Sequence, residues 1–236
     1  MLGPVLDTFK TNVRMTLIVI VLAFIFCTPL WFAYQETKSP VARLIFLAAL
    51  AFFALLITER LTARAYLHDN GVSYSSILSH KEILWVEVER LYYGAHQVSA
   101  HVIPLGTFYL LKLFDQNGQH LSLGDRVGRI AQLAEKIAQY TYEPLLQKAT
   151  HNFNRDEELD FGLVRLSRSA GLKVKRWSSY TTIPWSELAA YKLDAGNFYL
   201  WRVGQEHTNG IPTERIPNAW VLLGLLNTVS NQESRD

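Results

Sequence analysis

Two stretches near the start of the chain are apolar in almost every position. Met15 to Tyr34 is a run of 20 residues with no charge, and Leu44 to Thr58 is a second run of 15. At ~1.5 Å per residue the first reaches ~30 Å, the thickness of a bilayer's hydrocarbon core. The second reaches only ~22 Å and spans if Pro40, Val41 and Ala42 count with it and Arg43 snorkels to the headgroups. The pattern predicts a helical hairpin over residues 15–62, with spans at about 15–34 and 41–60, closed by the polar loop Gln35 to Ser39. Residues 1–14 are expected to be a short cytoplasmic segment. A signal peptide fits less well, because the run is long for a signal core and no small-x-small site follows it. Phe24-Ile25-Phe26 before Cys27 is too bulky for a lipoprotein cleavage box. Soluble core helices are the remaining alternative.

After the second run the period falls to 2, and strands and hairpin turns are expected. Arg64 to His68 and Val72 to Leu78 flank Asp69-Asn70-Gly71, and Ile83 to Tyr93 alternates through Val86, Val88 and Leu91. Phe108 to Phe114 and Gln119 to Leu123 flank Asn117-Gly118, a strong hairpin signal. The period then becomes 3.6: Val127, Ile130, Leu133, Ala134, Ile137 and Ala138 form one stripe after Asp125, the expected N-cap, and Pro144 should kink or end the helix. Asn154 to Asp160 (NRDEELD) is acidic and polar and reads as a linker or exposed turn. The order then recurs, with Leu163 to Arg168, Leu172 to Trp177, Ile183 to Leu193 and Phe198 to Val203 as strands and Pro217 to Val229 as a helix.

The recurrence reads as a duplication. At an offset of 100, Gly71 falls on Gly171, Ile83 on Ile183, Trp85 on Trp185 and Glu87 on Glu187, within the phrases ILWVEVERL and IPWSELAAY. Hairpins followed by one amphipathic helix, with Gly171-Leu172 and then Ile183-Pro184-Trp185-Ser186-Glu187-Leu188, resemble bacterial membrane-anchored pleckstrin-homology-like (PH-like) proteins. The first copy departs from that phrase by having Leu84 where proline stands. The resemblance covers roughly Ala63 to Ser230. It implies an α+β chain on a membrane anchor, with two tandem PH-like domains at 63–150 and 161–232. Each would be an antiparallel β-barrel or sandwich capped by a C-terminal helix. An acidic linker at 151–160 would join them, and a short tail at 233–236 would follow. A shared fold carries no ligand with it.

Charge and cysteine content then narrow the function. From Glu59 onward there are 19 Lys plus Arg and 19 Asp plus Glu, so the large part is formally neutral and lacks the basic excess of a nucleic-acid binder. Lys10, Arg14, Arg60 and Arg64 flank the hairpin's open end, against Lys38 and Arg43 at its bend. That bias places both ends, and the C-terminal domains, on the cytoplasmic face of an inner membrane. Cys27 is the only cysteine, so no disulfide framework exists.

No nucleophile elbow, phosphate loop, dinucleotide glycine cluster or His-Glu-x-x-His occurs, and His96 and His101 lack a metal-ligand spacing. No catalytic residue, metal or cofactor is expected. Trp85 and Trp185 are expected to fill the cores of small domains. One basic cluster stands out: Arg165, Arg168, Lys173, Lys175 and Arg176, within 12 residues that hold no acid. Alternation turns Val164, Leu166, Leu172 and Val174 inward and puts Arg165, Lys173 and Lys175 on one outer face, with Trp177 at its edge. The first copy has Ser73 and Ser75 there instead. The expected function is a non-enzymatic interaction or scaffold module whose partners are the bilayer and either a protein or anionic lipid headgroups. The basic hairpin is the candidate contact. A headgroup-sensing module and an accessory subunit of a membrane complex are the alternatives.

Overall fold

The computed structural model describes residues 1–100, 103–124, 126–205 and 210–233; side chains at 96–100, 103–108, 176 and 230–233 are left aside. Asp125 and His101 therefore lie outside the described residues. The chain divides into two compact units, Met1–Leu84 with Leu123–Leu133, and Trp85–Ser122 with Ala134–Asp236.

The first unit begins with an element that no periodicity announced. Strand β1 (Val5–Lys10) lies in residues 1–14, expected to be a short cytoplasmic segment, for which the pattern predicts no strand. Helices α1 (Val13–Thr37) and α2 (Pro40–Thr62) follow, and then β2 (Arg64–His68), β3 (Gly71–Ser75) and β4 (His80–Leu84). The strands form one antiparallel sheet in the order β1-β2-β3-β4. Strand β1 pairs with β2 through Thr8↔Tyr66, Phe9↔Ala65 and Lys10↔Arg64, so the helical hairpin is spliced between two neighbouring strands. Phe9 and Ala65 are both fully buried, and this apolar pair fixes the register. Just beyond β1, Thr11 bridges to Val127, which closes the other side of the strand.

The joint between sheet and helices is tight. The Thr11 hydroxyl donates to the Arg60 carbonyl and, at 2.9 Å, to the Ala63 carbonyl, while the Asn12 side chain caps α1 at Arg14 N–H. The helices turn over only Lys38 and Ser39, with Lys38 at φ 47° and Pro40 starting α2. Their 25 and 23 residues correspond to ~37 and ~34 Å. Over its most apolar 18 residues the mean hydropathy of each helix is 2.4 and 2.5 respectively, and Thr16 is the only buried residue on either helix. The hairpin is zipped by ring contacts, Phe26 with Phe53 at 6.1 Å and Trp31 with Phe46 at 5.4 Å. Pro29 sits inside α1, a position that apolar spanning helices tolerate.

Strands β5 (Val88–Ala100), β6 (Ile103–Asp115) and β7 (His120–Gly124) form a three-stranded antiparallel sheet. The Asn117-Gly118 turn between β6 and β7 is as expected: Gly118 has φ 79°, and the Asp115 carboxylate accepts from Asn117 N–H and Gln119 N–H. Helix α3 (Ile130–Asn154) comes next, then β8 (Leu159–Phe161), β9 (Val164–Ser167), β10 (Gly171–Arg176) and β11 (Ser179–Ile183) in a four-stranded sheet. Strands β12 (Leu188–Asp194), β13 (Asn197–Arg202) and β14 (Ile211–Pro212) make a three-stranded sheet, and α4 (Ala219–Glu233) follows. The core of this part is continuous, from Phe161, Val164, Leu166 and Leu172 through Phe198 to Leu222, Leu225 and Leu226 on α4. Among the described residues no sheet closes on itself, so the expected barrel is not formed; the strands stand in open antiparallel sheets.

Five boundaries differ from those the pattern suggested. Ile83 to Tyr93 is not one strand, because a helical turn over Trp85–Glu87 carries the chain from one sheet to the next. The same turn at Trp185–Glu187 splits the second alternating run. Strand β3 ends at Ser75, and Ile77 and Leu78 lie in a turn. Helix α3 runs ten residues past Pro144, because buried Ile137 and Thr141 on one side and Phe153 on the other hold it through the lost backbone bond. The α4 helix starts at Ala219 instead of Pro217, after Asn218 at φ 54°. Asn218 side-chain atoms bond Leu91 N–H and the Glu89 carbonyl, each at 2.8 Å, satisfying the edge of β5.

The glycines and tryptophans of the repeated pattern have direct explanations. A Cβ on Gly71 would collide with the Ile83 carbonyl oxygen, and one on Gly171, at φ 90°, with the Ile183 carbonyl oxygen. Trp85 is buried and stacks on Tyr140 of α3, centroids 5.3 Å apart and planes within 6°. Trp185 is only half-buried, edge-on to Phe153 at 6.1 Å, with its indole N–H on the Arg168 carbonyl at 2.8 Å. Its ring stays partly in solvent, so it is not the core plug that its counterpart is.

Splicing the helices between β1 and β2 makes Phe9 a keystone. Phe9→Ala should lower the stability of the purified full-length protein by ~3–5 kcal/mol, the usual cost of emptying a fully buried phenylalanine site. Denaturant titration followed by tryptophan fluorescence measures this. An unchanged midpoint would mean that β1 is dispensable.

Candidate functional site

The basic hairpin is β9–β10 extended by β11. Register sets Lys173 against Arg165 and Leu172 against Leu166, so the apolar residues share one face and the basic ones the other. Val164, Leu166 and Leu172 are fully buried and Val174 nearly so. Arg165, Lys173 and Lys175 are brought together on the outer face, but they are not equally available. The Glu158 carboxylate pairs with Lys173 through one oxygen and with Arg165 at 3.1 Å through the other. The Arg165 guanidinium also lies 4.6 Å from the Tyr180 ring centre, and the Lys175 ammonium 5.8 Å from it. Arg168 points elsewhere and donates to the Asn154 carbonyl at 3.5 Å. Arg176 closes the strand opposite Ser179.

The acidic run that read as a linker is part of this structure. Residues 151–160 contain the end of α3 and the start of β8. Asp156 accepts from Ser169 N–H at 2.8 Å, and hydrogen bonding to the Ser169 side chain first and to its backbone next holds the carboxyl below the usual carboxylate range. Glu158 is likewise held low, first by the Lys173 hydrogen bond and then, against its partial burial, by the charges of Lys173 and Arg165. The counterpart residue Ser73 is buried, 2.9 Å from the His68 ring, and so is no solvent-facing equivalent of Lys173.

Trp177 caps the hairpin. It occupies the turn between Arg176 and Ser179 at φ 57°, a left-handed conformation that costs a bulky residue ~1–2 kcal/mol. Its side chain is fully exposed, at 101 %. A strained backbone carrying a bare indole at a tip is a feature that packing does not require.

Beside this tip lies an open cleft of about 380 Å³ between the β8–β11 sheet and the β12–β14 sheet. Val174, Ile183, Leu200 and Ile211 give it an apolar floor, and Lys175, Arg202 and Trp177 stand at its rim. Arg202 is held by a bond to the Thr182 carbonyl at 3.3 Å. Sequence reasoning missed Arg202, because it lies outside the basic run, and missed Glu158, because the run of acids looked like solvated filler. An apolar floor with a cationic rim suits a ligand segment that pairs an apolar group with an anion. No group of three His, Cys, Asp or Glu able to hold a metal occurs among the described residues.

The sequence model of a family described as a family of unknown function, DUF6585, matches residues 1–235. The chain belongs to this family. No curated protein matches it. The family match takes in the helical hairpin and all the sheets together, so the spliced arrangement and the cleft lie within one matched unit.

The Glu158 clamp has a defined pH signature. A carboxyl whose folded pKa lies below its unfolded value contributes fully above the ordinary carboxylate pKa of ~4.3 and loses that contribution as pH falls through the lower folded value. Glu158→Gln should therefore remove an increment of stability present at neutral pH and absent in acid. Denaturation midpoints of both proteins across this range should converge at low pH; parallel curves would mean that the clamp is not formed in solution.

Proposed function

We propose that this chain is a non-enzymatic, membrane-anchored interaction module with two tandem PH-like units, which docks a protein segment in the cleft beside Trp177. The observation that carries the reading is the cleft itself, with an apolar floor under a rim of Lys175, Arg202 and a fully exposed tryptophan. The anchor reading is supported by α1 and α2, which leave nearly all their apolar side chains uncovered, as a core helix of a soluble protein does not. Cleavage after α1 would discard β1, which is paired in the sheet, and this argues for a retained hairpin. Because β1 and β2 are neighbours, both ends of the hairpin lie on one side of the bilayer. The basic flanks Lys10, Arg14, Arg60 and Arg64 make that side cytoplasmic. The PH-like, tandem reading is supported by the strand orders β1-β2-β3-β4 and β8-β9-β10-β11, each followed by a Trp-x-Glu turn, a three-stranded sheet and a helix.

Anionic headgroup contact is the second reading, and Trp177 beside Lys175 favours it, since indoles prefer the membrane interface. Against it, Glu158 neutralises part of the basic face. Each free Lys or Arg near an anionic leaflet contributes ~1 kcal/mol, so the hairpin's attraction is smaller than its five cations suggest.

Two measurements test these statements. Topology reporters at Asp236 and near Lys38 should report opposite sides, with Asp236 cytoplasmic; an external signal at Asp236 would overturn the orientation. A photo-cross-linking phenylalanine analogue at Trp177 in the full-length protein, irradiated in native membranes, should give a protein adduct of discrete mass. That adduct should disappear when Arg202→Glu reverses the rim charge. Lipid adducts alone, lost when Lys173, Lys175 and Arg176 are changed to Glu, would replace docking by the headgroup reading.

A further inference from the structure

The β3–β4 turn, Ser76 to Ser79, presents two large apolar side chains to solvent, Ile77 at 56 % and Leu78 at 63 % exposure. Single exposed apolar residues are ordinary, but an adjacent Ile-Leu pair at the tip of a tight turn is not, because turns favour Gly, Asn, Asp and Ser there. Serines do close this one: Ser76 N–H donates to the Ser79 carbonyl at 2.8 Å, and Ser79 N–H to the Ser76 hydroxyl at 3.1 Å. Its tip is then tied to the last turns of α2. Ile77 N–H donates to the Thr62 hydroxyl at 3.2 Å, and Leu78 N–H to the Glu59 carboxylate at 3.3 Å.

Those partners fix the level of the turn. Glu59 is the first charged residue after the apolar run Leu44 to Thr58, so it marks the edge of the hydrocarbon if α2 spans. A turn whose backbone N–H groups are bonded to Thr62 and Glu59 stands at the headgroup boundary, where Ile77 and Leu78 need only their own length to reach acyl chains. Leu55 and Leu61 on α2 are exposed as well, and Arg64, exposed at the start of β2, suits phosphate-bearing headgroups.

We propose that Ile77 and Leu78 insert into the interfacial layer of the same leaflet that α2 leaves, as a third membrane contact that fixes the tilt of the β1–β4 sheet on its anchor. The proposal rests on reading α1 and α2 as spans. The partner is a lipid surface; a second copy or another protein covering the pair is an outcome that the test separates.

The experiment uses the full-length protein reconstituted in phosphatidylcholine–phosphatidylglycerol vesicles. Cys27, the only cysteine, lies in α1 and is labelled in the unchanged chain with an environment-sensitive fluorophore. In a Cys27→Ser background, Ile77→Cys and Leu78→Cys are labelled in turn, with Asn117→Cys in an exposed turn as a water-facing control. Vesicles carry spin-labelled lipid, with the label either near the headgroup or deep in the acyl chain. The expected result is blue-shifted emission at 77 and 78, with most of it lost to the shallow quencher and little change at 117. Cys27 should lose its emission to the deep quencher. Quenching at Cys27 with none at 77 and 78 would overturn the third contact while leaving the spans intact. No quenching at Cys27 would overturn the spans and this proposal with them. Blue-shifted but unquenched emission at 77 and 78 would mean that protein, not lipid, covers the pair, and would also overturn it.

Discussion

The pairing of β1 with β2 is the constraint on which the first unit depends. These strands are neighbours in space and separated in sequence by the whole helical hairpin. Lys10 faces Arg64, and the helices begin and end within three residues of that pair. A sheet that closes around an insertion in this way has no slack for the insertion to swing on. The Thr11 hydroxyl, shared between two carbonyls at the end of α2, removes what freedom the connecting residues would have. The anchor in the proposed reading is thus an element of the sheet's own topology, not a leash attached to a domain.

Charge is arranged with similar economy around the β9–β10 hairpin. Viewed as composition, five cations without an intervening acid suggest a surface built to attract anions. Viewed as geometry, one carboxylate, Glu158, lies between two of them, and one ring, Tyr180, faces two. The counter-charge comes from the segment just before the hairpin in sequence, so local chain order supplies it. What remains outward is Lys175 near an apolar cleft, with Arg202 contributed from a different sheet. That shift, from a charged face to a mixed apolar and cationic cleft, is why a docked protein segment is the better reading.

The long-period features were legible in the sequence, and the short-range ones that depend on a distant partner were not. Apolar runs without charge gave the two helices within a few residues, and Asn117-Gly118 gave its hairpin, because both signals are local. Strand β1 escaped because six residues with one deeply buried side chain, Phe9, carry no period, and their partner lies beyond the hairpin. Pro144, expected to kink or end the helix, does not end it: propensity argues for a break, but burial on both sides of the proline outweighs one missing bond. The equivalence of Trp85 and Trp185 was visible as spacing, yet their burial differs, since it depends on what α3 brings to each. The candidate site followed the same division. Alternation placed Arg165, Lys173 and Lys175 on one face, while the clamp, Arg202 and the cleft needed the fold.

Strain and exposure together mark where this fold departs from what packing alone would choose. Trp177 combines a left-handed backbone with an unburied indole, and the Ile77-Leu78 pair combines a serine-closed turn with two unburied aliphatic side chains. In water each arrangement is unfavourable relative to a polar or glycine turn at the same place. Both become reasonable if something apolar meets them, and the surroundings of each name a different something. The pair at 77–78 is hydrogen-bonded through its backbone to the end of an apolar helix, so its complement is what covers that helix. Trp177 stands at the lip of a cleft with an apolar floor, so its complement is what fills the cleft.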